Sequence, residues 1–285
     1  MKMEIKNNFN AETVKGFGDE WSRFDQAVLS KMELLDLFSR FFRVFPLDSL
    51  SKDAVGFDLG CGSGRWAKCL AAKVGCIHCI DASEAALAVA KSNLKEFTNC
   101  KFHLASVENI PLPENSMDFG YSVGVLHHIP DTFSGIKSCV SKLKPGAPFY
   151  LYLYYAFDNR PVWYRCLWYV SNFFRKLISL SPYPVRYVLS QVIAVFVYFP
   201  LARFLLLLEK FGINVEGLPL AWYRCRSFYT MRTDALDRFG TKLEKRFTAV
   251  QIRKMMEDSG LKKIVFSDTA PYWCVVGYKE NLCAA

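Results

Sequence analysis

Acidic residues are in deficit: 27 Asp and Glu stand against 36 Lys and Arg, a formal charge of +9. That imbalance points to an anionic partner without saying whether it is a cofactor, a membrane or a nucleic acid. Internal repeats and low-complexity tracts are missing, which excludes solenoids and disordered arrays. No apolar run reaches the roughly 20 residues of a membrane-spanning helix. The uncharged stretch 187–202 is 16 residues long, contains Pro200 and stops at Arg203, so two helices or an in-plane element are expected there. The opening run MKMEIKNNFNAETVKGF lacks an apolar h-region, so no signal peptide is expected. The ten cysteines are then free thiols of a cytoplasmic protein. Metal ligands are also sparse. Cys76 and Cys79 form a CxxC around His78, but in a strand positions three apart face opposite ways, and no second CxxC or HxxxH completes a site. No metal is expected.

Apolar residues make up 52% of the 285, enough for a sizeable core. Aromatics cluster, with 22 of the 44 Phe, Tyr and Trp in residues 150–229. Residues 151–235 also hold ten Arg or Lys against four Asp or Glu. Elsewhere short apolar strands alternate with amphipathic helices. Strands are expected at 54–59, 75–80, 101–104, 117–123 and 149–155, with helices at 63–73, 83–96 and 132–142. A further helix begins near Thr248, with Gly260 at its C′ position, before strands at 262–267 and 272–278. Residues 27–45 have helical apolar spacing up to Pro46. The pattern predicts an α/β fold: a doubly wound, mostly parallel, seven-stranded Rossmann-like sheet. To it are added a helical N-terminal leader or lid (1–53) and a large helical insertion after the fifth strand (156–245), the core being 54–155 and 246–285.

The sharpest motif is Asp58-Leu59-Gly60-Cys61-Gly62-Ser63-Gly64, which follows a strand and opens a helix. Its glycines allow a tight turn and close approach of backbone to a ligand. The acidic Asp58 would repel a pyrophosphate and suits a cationic group, and the dinucleotide pattern GxGxxG is not matched. The second strand ends in Asp81, where a carboxylate can accept ribose hydroxyls. The fourth strand leads through Val123 and Gly124 into Val125-Leu126-His127-His128-Ile129-Pro130.

These motifs, in this order and spacing, resemble class I S-adenosylmethionine-dependent methyltransferases of the small-molecule type over residues 54–155, and more loosely over 246–279. The resemblance implies S-adenosyl-L-methionine as cofactor. Gly60, Gly62 and Gly64 would border its methionine part, with Asp58 near the amino group and Asp81 on the ribose. Ala82 would lie beside the adenine. Ser106 and Val107 fall where many members have an Asp–Ala pair, so a hydroxyl replaces the carboxylate there. Val123 and Gly124 would line the sulfonium end. The run Phe17–Phe24 is similar to a leader in some members, through which Trp21 and Arg23 would cover the pocket; a plain surface helix is the other reading.

His127 and His128 are the catalytic candidates, since both fall at the carboxyl end of the fourth strand; structural histidines are the alternative. The segment Arg232–Phe239 and Tyr154 are expected to border the acceptor. The expected activity is methyl transfer to a small, hydrophobic acceptor, to oxygen first, with carbon and nitrogen open. Two other readings stay open: a membrane-surface enzyme acting on a lipid or isoprenoid, and a non-catalytic cofactor-binding protein. Residues 156–230 are read as an apolar cap with an arginine fringe. It serves as a cap, a dimer interface or a peripheral membrane contact. No nucleic-acid partner is expected: the basic residues are dispersed, and GVLHHIP stands where base amino-methyltransferases carry an Asn-Pro-Pro-Tyr-type motif. Oligomeric state is left open.

Overall fold

The computed structural model describes residues 8–281; residues 1–7, which begin the expected leader, and the last four, with Cys283, lie outside the described residues. In chain order come α1 (Ala11–Arg23), α2 (Lys31–Phe41), β1 (Val55–Leu59), α3 (Arg65–Leu70), β2 (Cys76–Asp81), α4 (Glu84–Asn93), β3 (Cys100–Leu104), β4 (Phe119–Val123), α5 (Thr132–Lys142) and β5 (Pro148–Tyr152). The helices α6 (Val162–Ser179), α7 (Tyr183–Ile193), α8 (Phe199–Lys210) and α9 (Phe228–Gly240) follow, then α10 (Ala249–Asp258), β6 (Leu261–Phe266) and β7 (Cys274–Lys279). Chain contacts divide the described residues into two units. The first runs to Ala27, then Leu34–Ala156, and resumes at Leu243; the second is Val28–Glu33 and Phe157–Lys242.

The first unit is a seven-stranded sheet in the order β3-β2-β1-β4-β5-β7-β6. β1 to β5 are parallel, and β7 runs antiparallel to both β5 and β6. Strands β1, β4 and β5 are buried on both faces, which is why their sequences read as unbroken apolar runs. One core holds Phe57, Leu126, Ile136, Phe149, Leu151 and Ile252. Elsewhere on the sheet Phe42 stacks on Tyr150 at 4.7 Å, and Phe41 lies 5.0 Å from Trp66. The Tyr150 hydroxyl donates to the Phe41 carbonyl. Helix α2 is shorter than the apolar spacing over 27–45 suggests. Leu37, Phe38 and Phe42 are buried, whereas Val28, Met32 and Leu35 are exposed. Thr248 caps α10 in a two-way capping box, and Gly260 ends it at φ +85°. The CxxC lies in β2, where Cys79 is buried and Cys76 half-buried.

The second unit departs from expectation at Pro200. Instead of two interrupted segments, residues Tyr183–Lys210 form one helix of 28 residues. Proline lacks an N–H and its ring crowds the carbonyl four residues back. The chain avoids that clash by widening into a π-helical turn at Ala194–Tyr198, where the Phe199 N–H bonds to the Ala194 carbonyl five residues earlier. Only part of the arginine fringe is at the surface: Arg165 is exposed, whereas four other arginines of this unit turn inward. The Arg175 guanidinium donates to Thr241 O at 2.9 Å, and the Arg203 guanidinium to Arg224 O and Arg226 O at 2.7 and 3.0 Å. Arg232 reaches Gln191 Oε1 at 2.5 Å. Arg175 and Arg203 turn inward because carbonyls at the end of α9 and in the loop before it need donors. The small core around them is Ala194, Tyr198, Ala202, Tyr223, Met231 and Ala235.

Candidate active site

Strand order reverses between β1 and β4, and in open parallel sheets the crevice outside such a switch point is where ligands bind. A pocket of about 820 Å³, counting its open mouth, lies there. Its floor is the glycine turn. Gly60 has φ +74°, and a Cβ on it would come within 2.3 Å of Val125. Gly62 has φ +53°, and its Cβ would lie 2.9 Å from the Trp21 indole. Both positions therefore need glycine for backbone conformation and for space at once.

Asp81 holds the turn closed. Its two oxygens accept the N–H groups of Gly62 and Ser83, each at 2.9 Å. A carboxylate has about four lone-pair sites, so each oxygen keeps capacity toward the pocket it lines. Burial raises the Asp81 pKa, and the backbone N–H bonds oppose that rise. Asp58 lies deeper. It is fully buried, off the lining, and neither oxygen makes a hydrogen bond of normal geometry among the described residues. Burial pushes its carboxyl up to about 8; the Tyr121 hydroxyl works against the shift and Asp81 adds to it. A cation at the turn would restore its charge.

Nine of the predicted residues meet on the lining: Trp21, Gly60, Asp81, Ala82, Ser106, Val107, Val123, Gly124 and His128. Gly62 and Gly64 shape the turn without lining the pocket, and Arg23 and His127 are also off it. Ser106 opens a 3₁₀ turn without using its side chain to cap it. The stretch not singled out from sequence is Asn8 to Val14, from which Asn8, Phe9, Asn10, Thr13 and Val14 line the pocket together with Phe17 of the expected leader. Asn8 anchors it by exchanging two hydrogen bonds with the Asp131 backbone, at 2.8 and 2.7 Å. Asn10 caps α1, and Gly18 packs so tightly on α4 that a Cβ there would meet Ser83 Oγ at 2.6 Å. The Asn10–x–x–Thr13 cap was the available sequence signal.

The two histidines separate. His127 is fully buried, its ring 4.0 Å from Tyr154 and 3.9 Å from His128. Burial first, then the charges of His128 and Arg246, push its pKa well down, so it is neutral. His128 faces the pocket, 4.9 Å from the Phe17 ring. Its Nδ1 lies 2.7 Å from the Leu243 carbonyl. A carbonyl only accepts, so Nδ1 carries the hydrogen and the neutral ring keeps its lone pair on Nε2. Arg232–Phe239, expected to border the acceptor, fall in α9 of the second unit. It is residues 243–247 that pass beside this cluster: Lys245 N–H bonds to His127 O at 3.0 Å and Phe247 N–H to Tyr154 O at 2.9 Å.

Residues 57–151 match the family described as Methyltransferase domain. This stretch is similar to class I S-adenosylmethionine-dependent methyltransferase domains. Demethylmenaquinone methyltransferase of Bacillus licheniformis is 26% identical over 108 residues, 36% of this chain and 46% of that protein. Ubiquinone biosynthesis O-methyltransferase of Aromatoleum aromaticum is 33% identical over 91 residues, 31% of this chain and 39% of that protein. The chain thus spans less than half the length of these curated relatives. A chain from the complex of the Haloferax volcanii Trm112 methyltransferase activator shares the fold at TM-score 0.55 and 13% identity, covering 96% of this chain and all of that one. The CurJ carbon methyltransferase does so at TM-score 0.53 and 10% identity, over 94% of this chain and 60% of that one.

The methyltransferase pocket fits its cofactor, S-adenosylmethionine. Asp81 retains acceptor capacity for ribose hydroxyls, the Gly60–Gly64 turn leaves a cradle that a Cβ would fill, and Ala82 and Val107 offer apolar surface for a base. Among the described residues no His, Cys, Asp and Glu group could hold a metal ion.

Proposed function

We propose that the protein transfers a methyl group from S-adenosylmethionine to a small, apolar acceptor, to a hydroxyl oxygen first, with carbon and nitrogen acceptors less favoured. The observation that carries this reading is the wall at the carboxyl end of β4. There Val125, Leu126, Ile129 and Phe17 surround a single basic ring, His128, whose Nδ1–H is committed to Leu243 O. The names of the curated relatives, which concern menaquinone and ubiquinone, support an apolar acceptor of quinone type.

When bound, the cofactor supplies an electrophilic methyl on a sulfonium. The protein has to place an acceptor in line and manage one proton. His128 Nε2 takes the hydroxyl proton as the oxygen–methyl bond forms, and the Leu243 carbonyl stabilises the resulting imidazolium through Nδ1–H. His127, neutral and packed at a tilt behind it, holds the ring in place without adding a competing charge. Trp21 and Phe17, on the segment anchored by Asn8, keep water from the reacting atoms.

The test uses the whole chain, calorimetric titration with S-adenosylmethionine, and a panel of phenols and hydroquinones with and without isoprenoid tails. The expected result is micromolar-range cofactor binding and turnover that favours the apolar acceptors. His128→Ala should lower kcat about 100-fold with cofactor affinity unchanged. Full activity of that variant overturns the base. Bound cofactor without turnover on any acceptor overturns the enzyme in favour of a binding protein.

A further inference from the structure

Helix α6 is built inside out. Its inward side carries Ser171, Asn172, Arg175 and Ser179, which are buried or half-buried. Its outward side carries Trp163, Leu167, Val170, Phe173, Phe174 and Leu177, all exposed, Phe173 at 61%. The helix from Tyr183 to Lys210 repeats the arrangement. Arg186, Ser190, Gln191, Ala194 and Arg203 turn inward, while Val188, Val192, Phe196, Phe199, Phe204 and Leu207 face out, Phe196 at 72%. Hydrogen bonds tie the inward arginines to protein carbonyls: Arg175 to Thr241 O and Arg186 to Gly240 O. The helices therefore cannot simply rotate their apolar faces under cover. An apolar surface of this extent is stable only against a non-aqueous neighbour.

The charge identifies that neighbour. Residues 159–208 contain Arg160, Arg165, Arg175, Lys176, Arg186 and Arg203 and no Asp or Glu. Arg165 and Lys176 are exposed beside the apolar face. A second copy docked on this face would bring the exposed Arg165 and Lys176 against their own counterparts, and the one acid on these two helices, Glu209, is already paired with Arg224 at 2.8 Å. Anionic headgroups meet both demands, because cations and interfacial Trp and Tyr border a face that enters the acyl layer. We infer that α6 and the Tyr183–Lys210 helix lie in the plane of an anionic lipid bilayer, with their apolar faces in the acyl region. The Tyr183–Lys210 helix is long and apolar enough to cross a membrane. Its inward side, however, is committed to α9 through Arg186 and through Gln191, which accepts from Arg232, so one face and not the whole circumference is available to lipid. This contact goes beyond the proposed methyl transfer and holds whether or not a methyl group is moved.

The experiment is flotation of the full chain with vesicles of phosphatidylcholine alone and of phosphatidylcholine mixed with phosphatidylglycerol. The chain should float with the mixed vesicles, more weakly as salt rises. Phe173→Glu combined with Phe196→Glu should lower partition at least about tenfold. Cofactor binding by calorimetry should be unchanged, which separates this outcome from failure of the methyltransferase reading. If that variant does not fold, Lys176→Glu serves instead: it should weaken flotation on mixed vesicles about fivefold and leave the melting temperature unchanged. Failure of the unmodified chain to float with mixed vesicles overturns the inference. So does a dimer in buffer that the Phe173 and Phe196 changes dissolve while flotation persists, which would assign the face to a second copy. Retention of the chain in vesicles after alkaline carbonate washing would overturn the in-plane arrangement in favour of a span.

Discussion

The two units use the same residue types in opposite directions. In the sheet unit Phe57, Phe119 and Phe149 are fully buried. In the helical unit Phe173, Phe196 and Phe204 face out, while Arg175, Ser179 and Ser190 are buried. The contrast is one of surroundings. The sheet unit encloses its own core, so apolar area leaves water by folding. The helical unit has two small clusters, one of alanines, two tyrosines and a methionine and one of Leu205, Val215 and Ala221, and leaves many large apolar side chains exposed. Counting hydrophobic residues would rate the second unit the better folder, and counting buried ones reverses the order.

The largest effect should come from the cofactor turn. Gly60→Val must adopt φ +74° and overlap Val125, so S-adenosylmethionine binding measured by calorimetry should fall more than about 100-fold. Phe149→Ala should cost the sheet unit roughly 3–5 kcal/mol in denaturant unfolding. Equal loss from Phe196→Ala in buffer would break the contrast between the units. Arg175→Met leaves the Thr241 carbonyl without its donor and should destabilise the helical unit by about 1–3 kcal/mol. A pH titration sharpens the comparison further. The Asp58 pKa stands at about 8 in the fold, above its ordinary 3.8, so the folded state holds a proton that the unfolded chain has released. Stability from this group is therefore present at acid pH and is lost as pH rises from about 4 through 8. Asp58→Asn should remove that slope, raising the melting temperature at pH 8 relative to the unmodified chain by ~5 °C. The smallest effect is expected from Phe196→Ser, within about 0.5 kcal/mol in buffer, since its ring is already in water.

Much of the sheet unit was legible because its physics is local and periodic. Short apolar runs that end at Asp58 and Asp81 mark strands whose carboxyl ends carry the site. Thr248 and Gly260 bracket α10 by capping alone. The glycine turn was readable because only glycine tolerates those conformations and contacts. Less of the site's division of labour could be read. Adjacent histidines in sequence gave no hint that His128 faces the pocket while His127 packs against Tyr154, because that choice depends on the return passage at 243–247. The segment from Asn8 to Val14 read only as the start of a helical leader, and its place on the lining depends on Asn8 finding Asp131 far along the chain.

The sequence by itself determined the strand and helix alternation, the glycine turn with its two acids, and the concentration of aromatics and cations in one segment. Backbone sterics and spacing act over a few residues, so they are written in the chain. Only the tertiary structure decided that Pro200 sits inside a continuous helix, accommodated by the π-helical turn at Ala194–Tyr198. It alone decided which side of an amphipathic helix faces inward. Periodicity defines two faces of α6 but carries no sign. The sign came from the carbonyls at the end of α9 and in the loop before it, which took the arginines in and turned the phenylalanines out.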